Sequence, residues 1–263
     1  MMDDGAPSWQ DLRARCEGGG AAFAFVIPVF NHARNVGQVA AAAAASGAAV
    51  IVVDDGSTDG SAAAASAVAG VRLVRHEANR GKGAAILTGL AAAQASGARF
   101  AITVDADGQH RPDEARRLLA ALWPSGAAKP EAALVLGARR GMQGGAVPWS
   151  SRMGRGFSGF WVWASGGPRV SDSQSGFRVY PVAETLALPT RARRFEFEVE
   201  VLVRARRAGL PVREVPVSVA YDPPGGRVSH FRPWRDFGRN SATFTRLLFS
   251  RFLPRGKGTG HGA

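Results

Sequence analysis

From residue 22 onward, short apolar runs rich in β-branched residues alternate with stretches of helical composition. That rhythm leaves few architectures open. Phe23 to Val29 reads as a buried strand, Arg34 to Ala45 as a helix, and Ala49 to Val53 as a second buried strand closed by the turn Asp54-Asp55-Gly56-Ser57. Ser61 to Ala69 reads as a helix, Val71 to Val74 as a strand, Gly83 to Ala95 as a helix and Phe100 to Val104 as a strand. Pro112 suits the first turn of a helix carrying Glu114, Leu118, Leu119 and Leu122, and Ala132 to Leu136 is another apolar strand. This β-α-β-α order predicts an α/β fold, a mainly parallel sheet flanked by helices, with ligands bound beyond the carboxyl ends of the strands. After residue 150 the rhythm changes. Phe157 to Ala164 is aromatic, Phe195 to Ala208 reads as a long helix, and Val212 to Val219 alternates as a strand in which Pro216 suggests an edge or an irregularity.

The 263 residues suit one domain with extensions: a flexible leader at 1–21, the main domain at 22–230, a basic amphipathic helix at 231–253 and a disordered tail at 254–263. The single cysteine, Cys16, excludes an intramolecular disulfide. The first twenty residues have no apolar core of a secretory signal, and the longest apolar stretch, Val39 to Val53, is broken by Ser46 and Gly47 and is too short to span a bilayer. The net charge of +12 points to a polyanionic partner, with nucleic acid, anionic lipid and a diphosphate substrate as candidates.

Three polar signals sit at strand ends. In Val104-Asp105-Ala106-Asp107-Gly108-Gln109-His110, alternate side chains of extended backbone place Asp105 and Asp107 on one side, where they can converge on Mg²⁺ or Mn²⁺ shared with a substrate phosphate. A pair of solvated turn aspartates would read the same way. Asp54-Asp55-Gly56-Ser57-Thr58-Asp59-Gly60 offers carboxylates to a nucleobase or ribose, and it is also good turn and cap chemistry. Asn79-Arg80-Gly81-Lys82-Gly83 opens a helix and makes an anion site, without the spacing of a P-loop.

These pieces, preceded by Ile27-Pro28-Val29-Phe30-Asn31, stand in an order that closely resembles the nucleotide-binding half of family 2 inverting glycosyltransferases. Asp172-Ser173-Gln174-Ser175-Gly176-Phe177-Arg178 looks like that family's acceptor-side segment. Phe195-Glu196-Phe197-Glu198 and Arg213-Glu214-Val215-Pro216-Val217 resemble its dolichyl/polyprenyl-phosphate mannose synthase and glucosyltransferase branch. The likeness covers roughly residues 22 to 232. It implies a GT-A type, Rossmann-like domain with Asp105 and Asp107 holding Mg²⁺ or Mn²⁺ and Gln109 as a further ligand. Pro28, Phe30 and Asn31 would line the donor nucleotide, Asp54 or Asp55 would contact its base, and Lys82 would lie near the diphosphate. Arg139, Ser175, Arg178 and His230 would face the acceptor; His230 stands where this branch usually carries Lys.

The implied reaction is a single displacement at the anomeric carbon of a nucleotide sugar of the GDP-mannose or UDP-glucose type. Hydroxyl-acceptor members use a carboxylate base from an acceptor-side Glu-Asp pair, and no such pair lies near Gly176-Phe177. A phosphate acceptor is already largely ionised and needs no strong base, so a lipid phosphate is favoured, with Asp172 as the base if one operates. From Phe231 onward there are seven Lys or Arg and one acid, Asp236. A helix from Arg232 to Phe252 would put Arg232, Arg235, Arg239 and Arg246 opposite Phe237, Phe244, Leu248 and Phe252, which suits an anionic membrane surface or, equally, packing on the domain. The aromatic stretch at Phe157 to Trp163 reads as core packing, with guidance of a polyprenyl chain as the other use. The expected setting is a peripheral one at the cytoplasmic face of the membrane, with no nucleic-acid partner. The rival readings are transfer to a hydroxyl of a glycolipid or saccharide, and a non-catalytic nucleotide- or membrane-binding module.

Overall fold

The alternation along β1 (Phe23–Val29) builds both faces of the sheet. Phe23, Phe25, Ile27 and Val29 enter one apolar layer, and Ala24 and Val26 enter the other. The structure is a computed structural model and describes residues 6–18, 20, 22–125, 127–139, 158–219 and 241–249. Six more strands follow: β2 (Ala49–Asp54), β3 (Val71–Arg75), β4 (Phe100–Thr103), β5 (Leu134–Arg139), β6 (Arg178–Pro181) and β7 (Val212–Val217). They form one sheet in the order β3-β2-β1-β4-β6-β5-β7. Pairing is parallel throughout except at β6, which runs antiparallel between β4 and β5. The expected mainly parallel sheet is therefore present, and Pro216 does lie on an edge strand, β7.

Helices cover both faces. On one lie α1 (Trp9–Gly18), α2 (Ala33–Ala44), α3 (Ser61–Ser66) and α5 (Ala115–Ala120). On the other lie α4 (Lys82–Ala95), α7 (Val182–Leu186) and α8 (Phe197–Arg207), joined by helical residues 158–164, here α6, and 241–249, here α9. Helix α4 lies close against β1: a methyl group on Gly89 would meet Val26 Cγ1 at 2.2 Å. That approach is what brings the head of α4 up to the strand ends.

The structure describes part of both terminal extensions. The leader is not loose along its length, because α1 docks Leu12 and Cys16 into the core and stacks Trp9 on Phe23 at 5.8 Å. Burying side chains of that size favours docking by about 1.5–3 kcal/mol each. In the described part of the C-terminal helix, Phe244 and Leu247 are buried against the body and Arg246 pairs with Glu200 at 3.1 Å. Its apolar side is thus partly used in packing, while Phe249 stays exposed. Arg232, Arg235, Phe237, Arg239, Phe252 and the tail at 254–263 lie outside the described residues.

Candidate active site

The carboxyl ends of β1, β2 and β4 and the head of α4 meet at one edge. Asn31, just beyond β1, takes a left-handed conformation (φ 53°), which Asn tolerates better than most residues. Its side-chain oxygen accepts from Thr58 N at 2.9 Å, and its own N–H donates to Ser57 Oγ at 3.0 Å. The run Ile27 to Asn31 and the 54–60 turn are therefore tied into one wall, with Phe30 half-buried beside them and Pro28 buried in the strand. Gly56 (φ +78°) lies where a methyl group would stand 2.7 Å from the Ala78 and Asn79 backbone, so that the 54–60 turn packs directly on the loop entering α4.

Asp54 and Asp55 hold this wall together. Asp54 Oδ1 accepts from Ser57 N at 2.9 Å and Oδ2 from Arg75 Nε at 3.0 Å. Asp55 accepts from Arg80 N, Gly81 N and the His76 ring, at 2.9, 2.7 and 2.7 Å. Both carboxylates are buried. Through these bonds the two carboxylates fix the 54–60 turn and the loop entering α4.

Lys82, the first residue of α4, is the electrostatic centre. Its ammonium lies 2.6 Å from Asp105 Oδ1 and 2.7 Å from Glu198 Oε1. Burial opposes its charge, but the attraction of Asp105 and Glu198 outweighs this and holds the ammonium well above its usual range. Burial likewise works against ionised Asp105. The Lys82 charge and hydrogen bond, helped by His110 and Arg139, overcome it and keep that carboxyl below its usual range. Asp107 accepts from Gln109 N at 3.0 Å, and its backbone carbonyl accepts from Asn35 Nδ2 at 2.7 Å, which anchors the hairpin to α2.

Gly176 roofs this group. Its carbonyl accepts from Thr103 Oγ1 at 2.8 Å, and a methyl group there would stand 2.4 Å from Asp105 Oδ2 and 2.6 Å from Lys82 Nζ. The acceptor-side segment is thus pressed onto the donor side. His110, buried and stacked on Phe177 at 5.1 Å, has its pKa pushed down to about 4, chiefly by burial, and is neutral at pH 7.

A chain of charged contacts orders the acceptor side. Arg139, at the end of β5, donates from Nε and Nη2 to the two oxygens of buried Asp172, at 2.5 and 2.8 Å. Glu214 of β7 accepts from Ser171 N, Ser171 Oγ and Asp172 N and so holds the segment bearing Asp172. Asp172 is accordingly a residue that orients Arg139. With both oxygens on a guanidinium it is not arranged as a base awaiting a proton. Arg178 also departs from expectation: it is fully buried and donates to the carbonyls of Ser175, Glu198 and Ser173, so it braces the segment from within. Ser175 is buried as well. His230 lies outside the described residues.

The structure thus brings Asn31, Lys82, Asp105, Asp107, Gln109, Arg139 and Asp172 to the strand-end edge. Sequence reasoning missed Glu198 and Glu214 as site residues. The signal for Glu198 was available: it and Glu200 interrupt the apolar run Phe197–Val203, and a carboxylate on the buried side of a helix needs a partner.

Mg²⁺ or Mn²⁺ can be tested against this donor set. Among the described residues no group of three or more His, Cys, Asp or Glu converges. Asp105 and Asp107 supply hard oxygen donors, and Mg²⁺ is commonly held by one or two carboxylates completed by substrate phosphates and water. The glycine at 176 keeps side-chain atoms away from Asp105 Oδ2. The residues fit such a cation bound together with a diphosphate.

Comparison with known proteins agrees with the fold and the motifs. Residues 24–185 match the description Glycosyl transferase family 2. The chain is 33% identical to the UDP-N-acetylglucosamine–dolichyl-phosphate N-acetylglucosaminyltransferase of Methanococcus voltae over 152 residues, 56% of this chain and 59% of that protein. It is 29% identical to the dolichyl-phosphate β-glucosyltransferase of Drosophila melanogaster over 176 residues, 65% of this chain and 52% of that one. These matches span less than two thirds of either relative. Glucosyl-3-phosphoglycerate synthase from Mycobacterium tuberculosis, solved with Mg²⁺ and uridine diphosphate, superposes with a TM-score of 0.68 at 23% identity, covering 95% of this chain and 85% of that one. The sheet order matches GT-A glycosyltransferase structures, and with the ordered motifs at its strand ends this chain belongs to glycosyl transferase family 2.

Proposed function

We propose that this glycosyltransferase moves a hexose from a nucleoside-diphosphate sugar of the GDP-mannose or UDP-glucose type to a polyprenyl (dolichyl-like) phosphate, with inversion, at the cytoplasmic face of a membrane. The observation that carries the reading is the acceptor side: an arginine, Arg139, fixed by Asp172, which Glu214 fixes in turn, and, among the described residues of the acceptor side, no carboxylate arranged as a base. A phosphate monoester needs a cation to position it and no general base, whereas an alcohol needs the base. The names of the two dolichyl-phosphate relatives support the same acceptor class.

In this reading a phosphate oxygen of the acceptor attacks the anomeric carbon while the bond from that carbon to the diphosphate oxygen breaks, and the nucleoside diphosphate leaves with the electron pair. Asp105 and Asp107, with Gln109 beside them, would hold Mg²⁺ or Mn²⁺, whose chemistry here is to offset the negative charge of the leaving diphosphate. Lys82 adds a fixed positive charge from the head of α4. Pro28, Phe30 and Asn31 shape the nucleotide wall, and Asp54 and Asp55 keep that wall rigid. Arg139 orients the acceptor phosphate.

The test is transfer from UDP- and GDP-hexoses, with Mg²⁺ or Mn²⁺, to polyprenyl phosphate and to the matching polyprenol, followed by mass spectrometry. Product on the phosphate alone is expected. Product on the alcohol with none on the phosphate would overturn the reading.

A further inference from the structure

Among the described residues, the large apolar side chains left exposed are Phe160, Trp163 and Phe249, with 54%, 45% and 66% of their surface open. They lie on α6 and α9, and these two helices abut. The Trp161 ring stacks on Phe244 with centroids 6.2 Å apart, and Arg207 Nη2 donates both to Ser165 O just beyond α6 and to Leu247 O of α9, at 2.7 and 2.6 Å. Phe160 and Trp163, three residues apart on one helix face, have ring centroids 6.0 Å apart, while Val162 on the same helix is fully buried. Arg169 sits 5.1 Å over the Trp163 ring. Residues 158–171 and 241–249 contain no Asp or Glu; of their two arginines, Arg246 is paired with Glu200 of α8 and Arg169 is exposed beside Trp163.

We propose that this aromatic face docks on an anionic lipid bilayer. Trp and Phe on the outer side of a helix, with an exposed arginine such as Arg169 at hand, are the side chains that settle at the headgroup level. A chain with net charge +12 is drawn to an anionic leaflet, where each nearby basic residue adds to the attraction. No helix of the described residues is long and apolar enough to cross a membrane, so this attachment lies on the surface. The face is also coupled to the acceptor side. Ser173 donates to Ser158, the first residue of α6, at 2.9 Å, and Ser173 follows Asp172, the partner of Arg139. A bilayer beneath α6 and α9 would therefore adjoin, through Ser158 and Ser173, the segment whose Asp172 holds Arg139. The purpose of the face rests on the polyprenyl-phosphate reading, although its lipid binding can be measured without it.

The experiment is flotation of the full-length protein with vesicles of phosphatidylcholine alone and of phosphatidylcholine with phosphatidylglycerol, both free of polyprenyl phosphate. The proteins compared are wild type, the Phe160→Ser/Trp163→Ser double variant and Phe249→Ser. Wild type should float with the anionic vesicles, and the double variant should lose about tenfold or more in partitioning at an unchanged melting temperature. Phe249→Ser should lose less. Wild type that fails to float, or variants that float like wild type, would overturn the proposal. So would light scattering showing a wild-type dimer that the double variant dissolves, which would make a second copy the occupant. Transfer to a short-chain, water-soluble prenyl phosphate in the absence of vesicles tests the acceptor reading separately. It should be equal in all three proteins, and its failure in all of them would sink that reading while leaving the flotation result standing.

Discussion

Gly176 and Asp105 touch across the boundary between the acceptor-side and donor-side segments: a methyl group on Gly176 would lie 2.4 Å from Asp105 Oδ2. The atoms in the way are ends of side chains, Asp105 and Lys82, so the backbone can keep its course while both groups are displaced. Gly176→Ala should therefore melt close to wild type and lose catalysis. A shift of about 1 Å in a catalytic group costs on the order of 100-fold in kcat. Wild-type rates in the alanine variant would show that the Asp105 position does not matter.

Lys82 is shared between Asp105 and Glu198, and in the proposed reaction that sharing would set how easily a divalent cation takes hold of Asp105. In Glu198→Gln the ammonium keeps Asp105 as its carboxylate partner and competes harder for it. The metal concentration giving half-maximal transfer should rise on the order of tenfold, about 1.4 kcal/mol, with the rate recovering at saturation. A metal titration checks this. An equal loss of rate at every metal concentration would exclude the competition.

Glu214 holds the segment bearing Asp172, the partner of Arg139. Its Oε1 takes Ser171 N, Ser171 Oγ and Asp172 N, at 2.8, 3.1 and 3.2 Å, while Oε2 takes Ser171 N alone. A glutamine keeps one oxygen and an alanine keeps none. Glu214→Ala should raise the acceptor KM about tenfold and leave the donor KM unchanged, and Glu214→Gln should stay near wild type, since a lost hydrogen bond to a charged group costs about 1.5–3 kcal/mol. Donor and acceptor constants rising together would assign Glu214 to general stability.

What the residues disclosed in advance, and what they hid, follows from the range of the forces involved. The runs Phe23–Val29, Ala49–Asp54 and Phe100–Thr103 are legible because a strand buried on both faces must be apolar throughout, and the Asp pairs are legible because they stand where those runs stop. Strand β6 was hidden. Its four residues, Arg178–Pro181, begin with an arginine, and only carbonyls from Ser173, Ser175 and Glu198 make that burial tolerable. Asp172 presented a similar problem. A carboxylate beside the site reads as a base until its partner is known, and that partner, Arg139, is 33 residues away.

The leader is open to a direct test through Cys16, which is buried in the core beside Leu12. Burial pushes its thiol pKa up to about 11. Well below the ordinary cysteine value of about 8.5 the thiol is protonated in both folded and unfolded chains and contributes no pH dependence. Between pH 9 and 11 the unfolded chain loses this proton while the folded one keeps it, so stability falls as pH rises, by up to about 2 kcal/mol. Urea midpoints of wild type and Cys16→Ala, measured under reducing conditions at pH 8 and pH 10.5, isolate the effect. The alanine variant should start less stable and lose less between the two pH values. A thiol that reacts with iodoacetamide at pH 8 as fast as free cysteine, together with equal pH losses in both proteins, would mean that α1 does not stay docked on the sheet.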